Sequence, residues 1–280
     1  MADIIIKRVG GKYKITDWII GLLPHHNIYC DVFGGSFSVG LSIEKKSNTN
    51  YRKVYNDIDC HASNLFTVLR DNYEILASKI ENTPYSRKDF EEACDLLENT
   101  KDFSNIDKIE WARQYIIFNR QSIFGKEDKH WCIARKGENN CMTWHSVPEL
   151  IKIVGQKLKE TYIECDDYSN VIDRWDSEET LFYCDVPYIG VETDFYRPNK
   201  GHGFDHGLFA KKIKSVKGSW AISYYDSAIV RELYSGYDFY TKDVKKNMQT
   251  KKKKDSEIEL LIVKRNEWSK INQENDCFSM

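Results

Sequence analysis

No apolar run in this 280-residue chain approaches the roughly 20 residues that a membrane-spanning helix needs. Ile4-Ile5-Ile6 is too short for the core of an export signal and is followed at once by Lys7 and Arg8, so no signal peptide is expected. The eight cysteines include no C-x-x-C pair, which argues against a zinc ribbon or a disulfide framework; scattered along the chain and partly inside strand-like runs, they are expected as buried free thiols in a reducing cytoplasm. A large excess of one charge is also missing. With 41 Lys and Arg against 43 Asp and Glu, the net charge of −2 does not advertise a nucleic-acid surface, and any such surface must be local. What is present is 41% hydrophobic and 13% aromatic residues, enough for a substantial core, in a chain long enough for one large domain or a core domain with an insertion.

One stretch organises the rest. Thr180 and Leu181-Phe182-Tyr183-Cys184 form a short apolar run, as a buried parallel strand would, and it breaks on Asp185-Val186-Pro187-Tyr188. Open α/β sheets place ligands at the carboxyl ends of central strands, so an acid and a ring here fit a site. Asp and Pro are also ordinary turn residues, and the stretch alone fits a plain strand end equally well. The upstream residues tip the balance. Ile28-Tyr29-Cys30-Asp31-Val32-Phe33 reads as a strand emptying into Gly34-Gly35-Ser36-Phe37, where bare backbone lets a ligand approach closely. A second strand, Lys53 to Asp59, carries Asp57 22 positions after Gly35. That is near the spacing at which an acidic side chain accepts both ribose hydroxyls of a bound nucleoside.

Around this core the rhythm changes twice. Leu65, Phe66, Leu69, Tyr73, Leu76 and Ile80 recur at helical spacing, as do Ile106, Ile109, Ala112 and Ile116, and Leu150, Ile151, Val154 and Leu158. Between these stripes lie Asn119-Arg120-Gln121-Ser122-Ile123-Phe124 and a segment with Lys126, Lys129, Trp131 and Arg135, whose amides, cations and rings suit phosphate, base-edge and stacking contacts, or else a solvated loop. Strands return at Thr161 to Cys165, Trp220 to Tyr224 and Glu257 to Val263, with Asp166-Asp167-Tyr168 after the first of them and a helix capped by Asp226 after the second. A polar loop from Val191 to His206 is long enough to suggest a flap, and Lys251-Lys252 belong to a basic run suited to phosphate or simply to solvent. The tail from Asn266 is polar and reads as loose. Near the start, Gly10-Gly11-Lys12 reads as a turn that brings a lysine to an anion, or as a plain N-terminal turn.

Taken in order, these pieces resemble the Dam-like (D12) class of DNA adenine-N6 methyltransferases over nearly the whole chain. Gly10-Gly11-Lys12, Asp31 to Ser36, Asn56-Asp57-Ile58, Asp167-Tyr168 and Asp185-Val186-Pro187-Tyr188 each look like a family motif. The resemblance implies a Rossmann-like α/β sheet for residues 1–61 and 161–280 and an inserted, mainly helical target-recognition domain at 62–160. It implies S-adenosylmethionine held by Lys12, Asp31, Phe33, Gly34, Gly35, Ser36, Phe37, Asp57, Ile58, Asp167, Tyr168 and Asp185, with no metal. It places Asn119, Arg120, Gln121, Ser122, Ile123, Phe124, Lys126, Arg135, Lys251 and Lys252 on double-stranded DNA. Asp185 and the Val186 carbonyl would accept the two N–H bonds of a flipped-out adenine amine and Tyr188 would stack on the base, with Pro187 in the same catalytic motif. A cytoplasmic monomer or weak dimer, paired with a restriction endonuclease or not, would fit.

Two positions depart from the pattern. Phe37 stands where the family has a second glycine, and its ring is expected to crowd the methionine part of the cofactor or to turn the loop onto another path. Val186 stands where the family has proline, a milder change because a backbone carbonyl survives any side chain. A non-catalytic methyltransferase-shaped DNA-binding or partner subunit, and an N4-cytosine enzyme, stay open as alternatives.

Overall fold

A computed structural model describes residues 3–8, 10–44, 50–100, 102–123, 130–133, 137, 139–189, 203–244 and 257–277. Along the chain, a 3-10 turn (Lys12–Lys14) precedes α1 (Thr16–Ile20), β1 (Ile28–Asp31), α2 (Ser38–Ser42), β2 (Arg52–Asn56), α3 (Cys60–Glu81), α4 (Arg87–Asn99), α5 (Lys108–Gln121), α6 (Asn140–His145) and α7 (Val147–Leu158). There follow β3 (Thr161–Glu164), α8 (Tyr168–Trp175), β4 (Thr180–Asp185), α9 (His206–Lys214), β5 (Ser219–Tyr225), α10 (Ala228–Leu233), β6 (Asp238–Val244), β7 (Glu257–Lys264) and α11 (Glu267–Cys277). The strands form a seven-stranded sheet in the order β3-β2-β1-β4-β5-β7-β6. Strands β2, β1, β4 and β5 run parallel, and β7 runs antiparallel to both β5 and β6. The sequence walks outward from β1 in one direction and restarts at β4 in the other, so the order reverses between two adjacent parallel strands. Doubly wound sheets bind their ligands at such a reversal, and the sheet agrees with the Rossmann-like arrangement expected. Among the described residues no helix is long and apolar enough to cross a membrane.

The chain divides into two compact units, one of Met1–Ile20, Gly35–Lys45 and Asp57–Cys165, the other of Gly21–Gly34, Lys46–Asn56 and Asp166–Met280. In the second unit, alternation along the strands separates two faces. Cys30, Phe182, Cys184, Ile222, Tyr224, Leu260 and Ile262 join Val171, Ile172, Phe209, Ile213 and Val230 in one apolar cluster. Each fully buried aliphatic or aromatic side chain there contributes roughly 1.5–3 kcal/mol. The other face carries Tyr29, Asp31, Tyr183, Asp185, Ser223, Tyr225 and Glu259, brought side by side by the register of Asp31 with Tyr183, Asp185 with Ser223 and Tyr225 with Glu259. The polar residues lie toward the carboxyl ends of the parallel strands.

Three parts of this unit differ from the sequence reading. Asp238–Val244 is a strand that alternation of apolar residues does not announce, because it lies at the sheet edge and its charged side chains face solvent. The tail is helical from Glu267: Asn266 accepts from Ser269 N through its side chain at 2.8 Å, which supplies the start signal. Ser227, not Asp226, caps α10 by accepting from Val230 N, and Asp226 pairs instead with Arg231 at 2.6 Å.

The first unit is helical apart from β3. Asp59, Ser86 and Asp107 cap α3, α4 and α5, and the apolar stripes read from the sequence are buried, with Leu65, Phe66, Leu69, Leu76 and Ile80 no more than 1% exposed. Ile106 falls before α5 rather than in it. Helix α3 kinks at Asn72 (φ −139°, ψ 30°), and the next residue, Tyr73, lies against Gly155 of α7. A Cβ placed on Gly155 would come 2.3 Å from Tyr73 Cγ and 2.4 Å from its Cβ, near-backbone atoms that cannot swing aside. Gly155→Ala is therefore expected to cost about 1–3 kcal/mol by overpacking and to lower the thermal midpoint by roughly 2–4 °C per kcal/mol. Gly203→Ala, with nothing within 4 Å of its Cβ, should leave the midpoint unchanged; calorimetry of the two variants checks the assignment, and equal midpoints would refute it.

Candidate active site

In the second unit the loop after β1 is drawn tightly against β2. Gly34 donates its N–H to Asn56 O at 2.6 Å, and a Cβ on Gly34 would sit 2.3 Å from the Tyr55 ring and 2.9 Å from Asn56 O, so only glycine fits. The bare backbone here serves chain packing. The Asn56 amide, 1% exposed, donates to Val32 O at 2.9 Å and Asp166 O at 3.1 Å, while its carbonyl accepts from Asp166 N at 3.1 Å. One buried side chain thus ties together the turns that carry Asp31 and Asp167. The Asp31 carboxylate is buried and accepts from Tyr29 Oη at 3.2 Å.

Asp167 is exposed and caps α8, accepting from Ser169 N at 2.9 Å. Its neighbour Tyr168 joins Phe33, Phe204 and Phe209 in an aromatic group with ring centroids 5.4–5.8 Å apart. Phe33 and Tyr168 of the sequence reading therefore meet; Phe204 and Phe209 complete the group.

The turn leaving β4 is anchored twice. The Val186 side chain is 2% exposed within the apolar cluster. Tyr188 directs its hydroxyl at two carboxylates, donating to Glu259 Oε1 at 2.8 Å with Asp185 Oδ1 at 3.3 Å, and sets its ring edge-on to Tyr225 with centroids 4.2 Å apart. Burial, with Asp185 and Glu259 beside it, pushes the Tyr188 phenol well above its ordinary range, so it stays a proton donor. Pro187 is partly buried between these anchors. Glu259 escaped the sequence reading, because an acid alternating with Ile258 reads as the solvent side of a strand, whereas the fold leaves it only 3% exposed.

In the first unit, Asp57 is buried and accepts from Gly35 N through Oδ2 and from Asp59 N through Oδ1, each at 2.9 Å. Arg8 reaches Asp57 Oδ2 at 3.6 Å and Asp59 Oδ2 at 2.9 Å. Burial raises the Asp57 pKa, and Arg8 and the two N–H donors offset part of that rise. Ile58 is half exposed. Lys12 is buried, and its ammonium donates to Gly10 O at 3.0 Å across the turn that Gly10 makes with φ +84°.

Ser36 is buried, and Phe37 resolves the expected crowding in an unexpected way. Its backbone is left-handed (φ 56°, ψ 27°), a conformation that costs a bulky residue about 1–2 kcal/mol. The ring does not lie over the turn. It is 1% exposed, edge-on to Phe66 at 6.0 Å, and rests on Gly40, where a Cβ would fall 2.2 Å from Phe37 Cε2.

Of the residues expected on DNA, four are committed to the protein itself. Asn119 donates to Lys7 O at 3.0 Å and accepts from Lys7 N at 2.7 Å. Arg120 donates to Ile5 O at 2.8 Å and also to Ile4 O, and burial lowers its pKa to about 10. Gln121 and Ser122 are 0% and 2% exposed. These four pin residues 4–7 and the end of α5, with their polar groups engaged inside the protein. Ile123 is exposed and starts a short antiparallel ladder, with Ile123 N donating to His130 O and Cys132 N to Gln121 O. Trp131 on that ladder lies tilted against Tyr85, with ring centroids 5.4 Å apart, and the Arg87 guanidinium lies 4.8 Å from its ring. Phe124, Lys126, Arg135, Lys251 and Lys252, most of the Val191–His206 loop and the basic run lie outside the described residues. The described thiols are free, as expected, and mixed in burial: Cys30, Cys94 and Cys184 are buried, Cys132 is half-buried, and Cys60, Cys141 and Cys165 are exposed.

A mostly parallel seven-stranded sheet with an antiparallel β7, an acid at the end of β4 and a glycine turn after β1 defines the class of Rossmann-like methyltransferases. Residues 9–248 match the family model for D12 class N6 adenine-specific DNA methyltransferases, and the chain belongs to that family. No curated protein matches it. The chain is accordingly an enzyme of site-specific adenine methylation in DNA, and membership implies methyl transfer that depends on S-adenosylmethionine. A non-catalytic subunit and an N4-cytosine enzyme are not favoured.

The Phe37 geometry can be tested directly. Phe37→Gly relieves about 1–2 kcal/mol of left-handed strain but empties a buried ring site, a loss of about 3–5 kcal/mol for such truncations. A net destabilisation near ~2 kcal/mol, or roughly 4–8 °C in thermal midpoint, is expected, with S-adenosylmethionine affinity in calorimetric titration within a few-fold of the parent. A raised midpoint, or affinity gained tenfold, would mean that the ring does obstruct the turn.

Proposed function

We propose that Asp185 and the backbone carbonyl of Val186 are the acceptors for the target adenine amine, and that Tyr188 stacks on the extruded base of double-stranded DNA. The observation that carries this is the doubly anchored turn at the end of β4, with Val186 in the apolar cluster and Tyr188 bonded to Glu259. An exocyclic amine is a poor nucleophile because its lone pair is delocalised into the ring. Two acceptors held on a rigid turn draw both N–H bonds toward themselves and make the lone pair available at nitrogen. The Asp185 carboxylate is then the first base for the proton released after transfer. Extruding the base costs roughly a few kcal/mol, which stacking on Tyr188 offsets in part.

S-adenosylmethionine, when bound, supplies the electrophilic methyl group on a sulfonium. The residues present suit it. Each Asp57 oxygen accepts one N–H, leaving acceptor capacity on both for a ribose diol. The ring group of Phe33 and Tyr168 suits its adenine, Asp31 and Lys12 its charged amino-acid end, and the Gly35–Ser36 turn and Ile58 the intervening backbone approach. Phe37 acts there through its packing, and Asp167 by capping the helix that carries Tyr168. On the DNA side we assign Ile123 and Phe124 to the gap left by the base and Lys126, Arg135, Lys251 and Lys252 to phosphates. A cytoplasmic monomer or weak dimer, working with a cognate restriction endonuclease or alone, completes the reading.

The test is nucleoside mass spectrometry of unmethylated DNA incubated with labelled S-adenosylmethionine. Labelled N6-methyladenine is expected from the parent and a loss of at least about 10³-fold in turnover from Asp185→Ala, with DNA affinity in a filter-binding assay little changed. Turnover within tenfold of the parent would remove Asp185 from the chemistry. Asp57→Ala should weaken cofactor binding by about 10- to 100-fold through lost charged hydrogen bonds; unchanged affinity would move the ribose elsewhere.

A further inference from the structure

We infer that Glu259 is a positioning residue for the methyl transfer: by accepting the Tyr188 hydroxyl it fixes the stacking ring and draws the phenol proton away from the Asp185 carboxylate that the adenine amine must reach. The inference rests on the reading of Asp185 and Tyr188 above and adds a third residue to it. Glu259 belongs to β7, opposite Tyr225 of β5, with only 3% of its surface exposed. A carboxylate in that position needs strong donors, since burying one without them is costly. The Tyr188 hydroxyl is such a donor.

The geometry sets up a competition. A phenol has one proton, and two carboxylates lie within reach of it, at 2.8 Å for Glu259 Oε1 and 3.3 Å for Asp185 Oδ1. The shorter contact is a full hydrogen bond and the longer one is near the limit for O–H···O. The proton therefore belongs to Glu259. Without Glu259 the hydroxyl would turn to Asp185 and compete with the adenine amine for that carboxylate. The ring would also lose this polar anchor while its contacts with Tyr225 and Tyr224 remain.

This yields a signature that a purely structural glutamate lacks. Glu259→Leu should lower kcat by about 10- to 100-fold, while the KM for DNA and the affinity for S-adenosylmethionine stay within about twofold. Glu259→Gln keeps an acceptor oxygen for the phenol and should retain kcat within about fivefold. Tyr188→Phe keeps the ring and loses the anchor, so its kcat should fall by about threefold or more with KM unchanged. Because the phenyl ring carries no competing proton, the double variant Glu259→Leu/Tyr188→Phe should be faster than Glu259→Leu and match Tyr188→Phe. Losses that multiply in the double variant, or kcat for Glu259→Leu within twofold of the parent, would overturn the inference. If Glu259→Leu does not fold, Tyr188→Phe decides: kcat within twofold of the parent overturns it. Asp185→Ala run alongside separates the two claims, since an active Asp185→Ala removes the site itself, whereas an inactive one with an indifferent Glu259 removes only the positioning role.

Discussion

The pairing of β1 with β4 is the constraint on which the second unit depends. These strands are far apart in sequence, and they run parallel with Asp31 beside Tyr183 and Tyr29 beside Leu181. Parallel pairing delivers both chain exits to the same end of the sheet, and the order of strands reverses between them. It also aligns their alternation, so that one face collects aliphatic and aromatic side chains and the other collects Tyr29, Asp31, Tyr183 and Asp185. Slipping β1 by one residue would drive Cys30 out of the apolar cluster and Asp31 into it, and slipping β4 would drive out Phe182 and Cys184. At roughly 1.5–3 kcal/mol for each displaced core side chain, losing all three would cost about 4.5–9 kcal/mol, comparable with the whole stability of an ordinary domain, about 5–15 kcal/mol. The polar face is held by the same register: Tyr29 bonds Asp31 and Tyr183 bonds Ser223, at 3.2 and 3.1 Å.

What could be read from the sequence follows from which side chains speak for themselves. Strands β1, β4 and β5 are buried on both faces and appear as short unbroken apolar runs, and Asp185 stood out because a carboxylate ends such a run. Strand β6 did not, since Asp238, Lys242 and Asp243 make it read as a loop, and its place is set by pairing with β7 rather than by its own composition. Glu259 was hidden by the opposite effect. In Glu257-Ile258-Glu259-Leu260 an alternating acid reads as the solvent side of a strand, yet Ile258 is 42% exposed and Glu259 3%. Only the arrangement of neighbours, with Tyr188 and Tyr225 waiting on the inner side, inverts that pattern.

Asn119 to Ser122 teach a related lesson. Amides and an arginine on one short segment suit DNA as a matter of chemistry, but the same groups suit protein backbone. Arg120 and Asn119 satisfy carbonyls at residues 4, 5 and 7, and a guanidinium so engaged cannot be withdrawn cheaply. Phe37 and Gly40 show compensation within one turn. Gly40, three places after Phe37, has no Cβ, and the space that one would take is filled by the ring. Conformational strain at Phe37 is the smaller quantity and ring burial the larger, which is why the left-handed residue is tolerated.

The same comparison of magnitudes bears on Val186. Proline at this place would restrict the unfolded chain and stabilise the turn by about 0.4–1 kcal/mol. Valine forgoes that, but its side chain is 2% exposed in the apolar cluster, and burying it contributes roughly 1.5 kcal/mol or more. Rigidity that proline would supply through the backbone is thus supplied through packing. The turn is gripped at Val186 by the core and at Tyr188 by β7, with Asp185 at the end of a fully paired strand. Rotating the Val186 carbonyl away would expose the valine or break the Tyr188–Glu259 bond, and either loss exceeds the preference given up with the proline. A backbone carbonyl aimed by side-chain burial can therefore be as well fixed as one aimed by a ring.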